Sequence, residues 1–379
     1  MYRALFILVL QGWFLFAACE GPPAADGNPD VLDQKLLERV KVALVCGLAA
    51  GDHAQQFLDA CAAEGRAMGF TVDTFTAGED TLRRREFMAR LAQADYAGLI
   101  FAYGGADTPV LLKPVVERGI KTVTFDALPL ENGASPREGF QGLTNTMQDD
   151  AALARISLES LLASFDPSRR PVRVIRASGG PGIPFLDRRM AVYQTYIQRG
   201  VIAEAAVIRP RNSAFSRGAV RDALAAVLNR VPPGSADAVW ASGGEFAKGC
   251  ADALEHEGRE DLKLFSIDIS NNIIKMMLKH PGQWASTAAA DPRGAGIAAM
   301  RLMAAKFAGE PVPDSYTFDA RLVNAADLNN AITMGNIAAV VPGWGQEPGL
   351  FDQYPWMRAL KAAAGKYSRR PPVADRPRQ

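Results

Sequence analysis

Two carboxylates stand directly behind apolar strands: Asp126 closes KTVTF, Lys121 to Phe125, and Asp268 closes KLFSI, Lys263 to Ile267. A carboxylate in that position has two uses. It can accept hydrogen bonds from a bound ligand, or it can cap the turn or helix that follows. A third apolar run, Val42 to Cys46, leads into the small, flexible loop Gly47 to Asp52 and then His53. Covalent catalysis finds less support. Ser178 to Gly182 (SGGPG) has the glycine content of a phosphate loop, but it lacks the Lys-Ser/Thr end of a P-loop and the spacing of a dinucleotide fingerprint. There is no GxSxG and no HExxH, and His53, His256 and His280 have no evident nucleophile partner. Beyond Cys19, the cysteines Cys46, Cys61 and Cys250 form no CxxC pair. No structural metal, cofactor or enzymatic activity is expected. Cys46 and Cys61 read either as buried, inert thiols or, in an oxidising compartment, as a pair.

These groups need a scaffold. Val42 to Cys46 is apolar on both faces and precedes helical spacing from Ala54 to Met68, which makes a buried strand, a loop and a helix. The pattern repeats: strands at 71–76, 98–103 and 121–125 alternate with helices at 81–94 and 109–118. Gly142 to Thr146 leads into a long helix from Gln148 to Phe165, with Asp149 and Asp150 in its first turn. A second series follows. Strands at 172–176, 205–209, 238–241 and 263–267 alternate with helices at 185–199, 216–229, 245–257 and 270–280. A strand at 284–289, a helix at 293–308 and a strand near 317–323 complete it. Such alternation predicts an α/β chain of two doubly wound parallel-sheet lobes, with ligands beyond the carboxyl ends of the strands. Trp344, Phe351, Tyr354 and Trp356, set among Pro and Gly, read as a tail packed on the body, and 368–379 as a disordered end.

The chain has 379 residues, 48% hydrophobic content and a formal net charge of +1, so a sizeable core is available and no bulk field favours nucleic acid. Arg83-Arg84-Arg85 reads as a solvated helix face. The N-terminus differs from the rest: a basic start, an apolar run from Ala4 to Phe16 and then Ala17-Ala18-Cys19 have the form of an export signal, too short for a comfortable membrane span. Phe16-Ala17-Ala18-Cys19 is similar to a bacterial lipoprotein box, with Phe16 where Leu is usual. Cleavage with lipidation at Cys19 and plain cleavage nearby both stay open. Residues 20–40 read as a linker.

The run VALVCGLAAGDHAQQFLDACAAEGRAMG, together with FDALPL, RRMAVYQTYI, WASGGEFAKGCADAL, LFSIDIS and STAAADPRGAG, resembles type I periplasmic solute-binding proteins, the family of ribose-binding protein and LacI-type effector domains. The resemblance covers about residues 40 to 325. It implies two lobes joined by a three-crossover hinge, with 41–143 plus 270–312 in the first lobe and 144–269 plus 313–329 in the second. A tail, 330–379, lies outside it. It also implies a periplasmic protein that captures a sugar, polyol or derivative between its lobes and delivers it to a membrane permease, or alternatively presents it to a sensor kinase or chemoreceptor. The membrane would be met only through an N-terminal lipid.

Carried over residue by residue, the resemblance makes Asp126 and Asp268 acceptors for sugar hydroxyls. It makes Arg189 a cleft arginine, with Arg188 or Arg189 left at the surface, and Phe215 an aromatic flanking the ligand. Tyr103, closing GLIFAY, is counted with them. The departures are Ala50, Asp52, His53 and Ala54 where an Asn-Phe-Phe group is usual, Ala127 for Arg, Gly243-Gly244 for Asn-Asp, and Ala290 for Gln. Small residues at those places imply a roomier cleft and a ligand less polar than ribose, with Asp52 and His53 as contacts.

Overall fold

The computed structural model describes residues 40–48, 51–76, 80–128, 140, 142–208, 210, 216–345, 351 and 354–367. Cys19, Ala50 and Phe215 lie outside the described residues, as do the export signal and linker.

In the first lobe, strands β1 (Lys41–Cys46), β2 (Thr71–Thr76), β3 (Gly98–Ala102), β4 (Lys121–Phe125) and β5 (Leu143–Gln148) alternate with helices α1 (Asp52–Ala67), α2 (Thr81–Leu91) and α3 (Thr108–Glu117). The second lobe holds α4 (Asp150–Ala163), β6 (Val172–Ala177), α5 (Pro184–Gln198), β7 (Ile202–Ile208), α6 (Arg217–Leu228), β8 (Ala238–Ala241), α7 (Gly244–His256), β9 (Lys263–Ile267), α8 (Asn271–Lys279) and β10 (Trp284–Ala289). Then come α9 (Pro292–Ala308), β11 (Ser315–Phe318), β12 (Arg321–Asn324) and, at the end, α10 (Pro355–Tyr367).

Each lobe is built on a six-stranded sheet, ordered β11-β5-β4-β3-β1-β2 in the first and β12-β10-β9-β8-β6-β7 in the second. Every pairing is parallel except β10 with β12. The central strands are buried on both faces, as continuous apolar sequence requires. Helices α2 and α3 cover one face of the first sheet, with Leu91, Leu112 and Val115 packed on Val45 and Phe101. On the other face α1 lies against α9. Their approach is close enough that a side chain at Gly296 would collide with the Phe57 carbonyl.

The path between the lobes corrects three expectations. Leu143–Gln148 is a strand, not the lead into a helix, and α4 begins two residues later behind the Asp149 cap. The chain returns to the first lobe at Ala290-Asp291 rather than near residue 270, because α8 connects two neighbouring strands of the second sheet, β9 and β10. The stretch near 317–323 is two strands, not one: β11 pairs with β5 in the first sheet, and β12 with β10 in the second. The crossovers therefore follow β5, β10 and β11, and the first and third touch where Asp149 N–H donates to the Phe318 carbonyl at 3.0 Å.

The tail packs on both lobes. Leu328, Ile332, Met334, Ile337, Val341 and Trp344 are buried, and Met334 N–H donates to Asn271 Oδ1 at the head of α8. Further on, α10 lies against α1, where Lys361 Nζ stands 2.6 Å from Glu64 Oε1.

Candidate functional site

Three strand ends of the two sheets share an unusual backbone. Tyr103, Asp126 and Asp268 follow β3, β4 and β9, and they have φ of 54°, 47° and 78°. Positive φ is uncommon outside glycine and costs about 1–3 kcal/mol; it persists where surrounding structure holds it and clusters at ligand sites. Here it aims side chains beyond the strand ends.

Tyr103, Asp268, Asp52, His53, Arg189 and Gly243 all line one cavity between the lobes, of about 60 Å³. A cavity of about 150 Å³ holds one benzene ring. The walls therefore set the ligand's chemistry, while the separation of the lobes sets its size. The lobes meet closely around it. Lys248 Nζ donates to Asp52 Oδ2 at 3.1 Å, His53 Nδ1 lies 3.3 Å from the Ile269 carbonyl, and the Tyr103 ring meets Phe185 edge-on at 6.2 Å. At Gly51 the lobes come so close that a Cβ would displace the Glu245 side chain across the gap.

Arg189 is fully buried and ties the second lobe's side of the site together. Its Nε donates to Asp150 at 2.7 Å, Nη1 to the Ser242 carbonyl at 2.7 Å and Nη2 to Asp268 at 3.2 Å. Burial opposes its charge, but Asp268, Asp150 and Asp126 outweigh that and hold its pKa above the ordinary value. Burial likewise pushes on Asp268; Arg189, His53 and the Gly244 N–H overcome it and hold that carboxyl below its usual range. Asp52 behaves in the same way, with Lys248 as the dominant partner against burial.

Asp126 is not a cavity wall. Its Oδ1 accepts from Gln148 N–H at 3.0 Å and its Oδ2 from Gln148 Nε2 at 2.7 Å, and Arg188 Nη2 approaches Oδ1 at 3.4 Å from the other lobe. Burial, then the neighbouring Asp150 charge, push its carboxyl up to about 7. The acceptor expected of Asp126 is thus relayed. With its amide nitrogen held by Asp126, Gln148 lines the cavity and keeps a buried Oε1 without a partner. Arg188 is not a surface residue either, since it donates to Asp150 at 2.6 Å. Ala290 is buried at the second crossover and does not line the cavity.

Sequence reading missed Gln148, Leu48, Phe185, Phe246, Lys248 and Ile273, all cavity walls. Phe246 and Lys248 sat in view within WASGGEFAKG; Gln148 was hidden by its assignment to a helix. Among the described residues Cys46, Cys61 and Cys250 are free and buried, and burial pushes the Cys46 thiol up to about 12.

The hydrogen-bond inventory defines what can bind. A carbonyl only accepts, so His53 Nδ1 donates to Ile269, and in the neutral ring Nε2, buried without a protein partner, is an acceptor. Gln148 Oε1 is another, and the buried Tyr103 hydroxyl is also unpartnered. Burial, then the Asp126 and Asp268 charges, hold that phenol protonated, well above its ordinary pKa. Three unpartnered polar atoms on residues that line one cavity ask for a ligand with hydroxyls to meet them.

With two lobes, three crossovers and this cleft, the chain belongs to the periplasmic binding protein family: the family's domain model matches residues 42–311. Membership implies a location outside the cytoplasm. A sugar ABC transporter structure from Yersinia enterocolitica subsp. enterocolitica 8081 is 32% identical, covers 86% of this chain and 96% of its own, and superimposes with a TM-score of 0.78. The 5-methylthioribose transporter solute-binding protein of Thermotoga lettingae TMO, solved with 5-methylthioribose, is 25% identical over 86% of this chain and 99% of its own, with a TM-score of 0.76. An Agrobacterium vitis solute-binding protein with bound allitol, 18% identical over 76% of this chain and 96% of its own, with a TM-score of 0.66, shares the fold. No curated protein matches the chain.

Proposed function

We propose that this protein captures a small, uncharged sugar or polyol between its lobes and delivers it to an ABC transporter in the cell envelope. The observation that carries the reading is that His53, Tyr103 and Gln148, each with an unpartnered buried polar atom, line one side of a cavity closed on the other by Arg189 and Asp268. Buried polar atoms without partners cost free energy unless a ligand meets them. Closure then follows as a population shift, because a ligand that touches both lobes binds the closed state more tightly than the open one. The similar proteins from Yersinia and Thermotoga, named as transporter components, support a permease as partner over a sensor kinase or chemoreceptor.

The apolar run at 4–16 followed by Ala17-Ala18-Cys19 supports export to the periplasm, with Cys19 as the lipid-bearing residue of an anchored mature chain. Intact-mass measurement on protein from a bacterial envelope tests that part, and an unmodified N-terminus beyond Cys19 would refute the anchor. A thermal-shift screen of neutral sugars, polyols, sugar phosphates and sugar acids tests the capture. Neutral members are expected to raise Tm, since binding to the native state stabilises it. Stabilisation by the anions alone would overturn the reading.

A further inference from the structure

The two walls of the cavity differ in kind. From the first lobe come the three unpartnered polar groups, His53, Tyr103 and Gln148. The second lobe's polar groups are already engaged. Arg189 and Asp268 bond to each other, and Asp268 also accepts from Gly244 N–H at 3.0 Å. Lys248 is shared between Glu245 and Asp52. What the second lobe offers besides is hydrocarbon, Phe185, Leu186, Phe246 and Ile273, against the smaller Leu48 and Ala54 of the first.

Gly243 and Gly244 bring bare backbone against that hydrocarbon. A Cβ on Gly243 would stand 3.5 Å from the Phe246 ring, and one on Gly244 would stand 3.1 Å from Ile273 Cδ1. A side chain at either position would crowd these groups and take up cavity space beside them.

We infer that the ligand is two-sided, with hydroxyls turned to the first lobe and an apolar edge turned to Phe246 and Ile273, as in a monosaccharide with a deoxy, alkyl or thioether substituent. This rests on the capture of a neutral sugar proposed above and adds which face of the cleft reads which end. An unsubstituted pentose would bury a hydroxyl against hydrocarbon, which is unfavourable without a partner. A methylthio group there gains from its own burial.

Calorimetric titration of the full chain with ribose, 5-deoxyribose and 5-methylthioribose tests it. The expected result is that at least one of the two less polar sugars binds about tenfold or more tightly than ribose, the scale set by burying a group of two heavy atoms. That preference should shrink several-fold in Ile273→Thr and in Gly243→Ser, two variants on separate elements, so failure of either to fold leaves the other. Ribose binding as tightly as both analogues overturns the two-sided ligand while leaving sugar capture standing. Absence of binding by every neutral sugar, in this set and in the thermal screen, overturns both.

Discussion

Lys248, on the second lobe, reaches across the cleft and donates to Asp52 of the first at 3.1 Å. The lysine side chain is 4% exposed and the aspartate 41%, so the pair sits at the rim, half in water. It joins the lobes only when they are closed, and so acts on closure more than on the fold.

Lys248→Met should lower Tm modestly, because Glu245 on the same helix also loses its partner, and weaken ligand binding about two- to fivefold, the range of a solvent-screened ion pair worth up to about 1 kcal/mol. Added salt should reduce the wild-type affinity toward that of the variant. A variant that binds as well as wild type at low salt would show that the pair plays no part in closure.

Tyr103→Phe separates binding from folding. The ring packs edge-on against Phe57 and Phe125, and those contacts survive; only a hydroxyl without a protein partner is removed. Tm should hold or rise. Affinity should drop by about 0.5–1.5 kcal/mol, or about two- to twelvefold, the net value of one hydrogen bond. A lowered Tm with unchanged affinity would contradict the placement of the hydroxyl at the ligand.

Asp126 should give stability an unusual pH dependence. Its folded pKa, about 7, lies above the ordinary 3.8, so between those values the native state holds a proton that the unfolded chain has lost. Its contribution is fully present below about pH 4 and is lost as pH rises through about 7. Asp52 and Asp268, held low, act the other way, but only toward acid pH. Asp126→Asn should remove the decline between about pH 4 and about pH 7 in urea denaturation. Parallel curves for wild type and variant would refute it.

The tail is part of the folded body. Met357 and Leu360 of α10 are 1% and 6% exposed. Met357→Ala and Leu360→Ala should each cost about 2–5 kcal/mol. A loss under about 0.5 kcal/mol for both, within the range of surface substitutions, would mean that α10 does not dock on α1.

Much of the fold was legible because β1, β3, β4, β8 and β9 are apolar runs whose spacing suits only buried parallel strands. β5 escaped because LTNTMQ is polar yet fully buried. Some of its polar atoms bond within the sheet, as where Thr124 Oγ1 donates to Asn145 Oδ1 at 2.7 Å and Thr146 Oγ1 to the Thr124 carbonyl at 2.7 Å, while Asn145 Nδ2 and Gln148 Oε1 stay without a partner. Misreading that strand hid Gln148, its last residue, which lines the cavity where Asp126 was expected and is held by it. The third crossover was blurred for a simpler reason: only Asp319 and Ala320 separate strands that belong to different sheets. Asp52, His53, Tyr103, Gly243 and Asp268 were placed in the cleft because strand ends and the loops behind them are where such sheets present side chains, and Arg189, on a helix, by the family resemblance alone. Phe185 and Ile273 carried no comparable signal, since an apolar residue on a helix reads as core until a cavity is seen beside it.

Calorimetry on the neutral sugar that gives the largest thermal upshift tests the central claim most directly, with wild type beside a His53→Phe/Tyr103→Phe double variant. Capture through the first lobe's unpartnered polar atoms predicts one-to-one binding by wild type and at least about tenfold weaker binding by the variant. Equal affinity in the two proteins would contradict it.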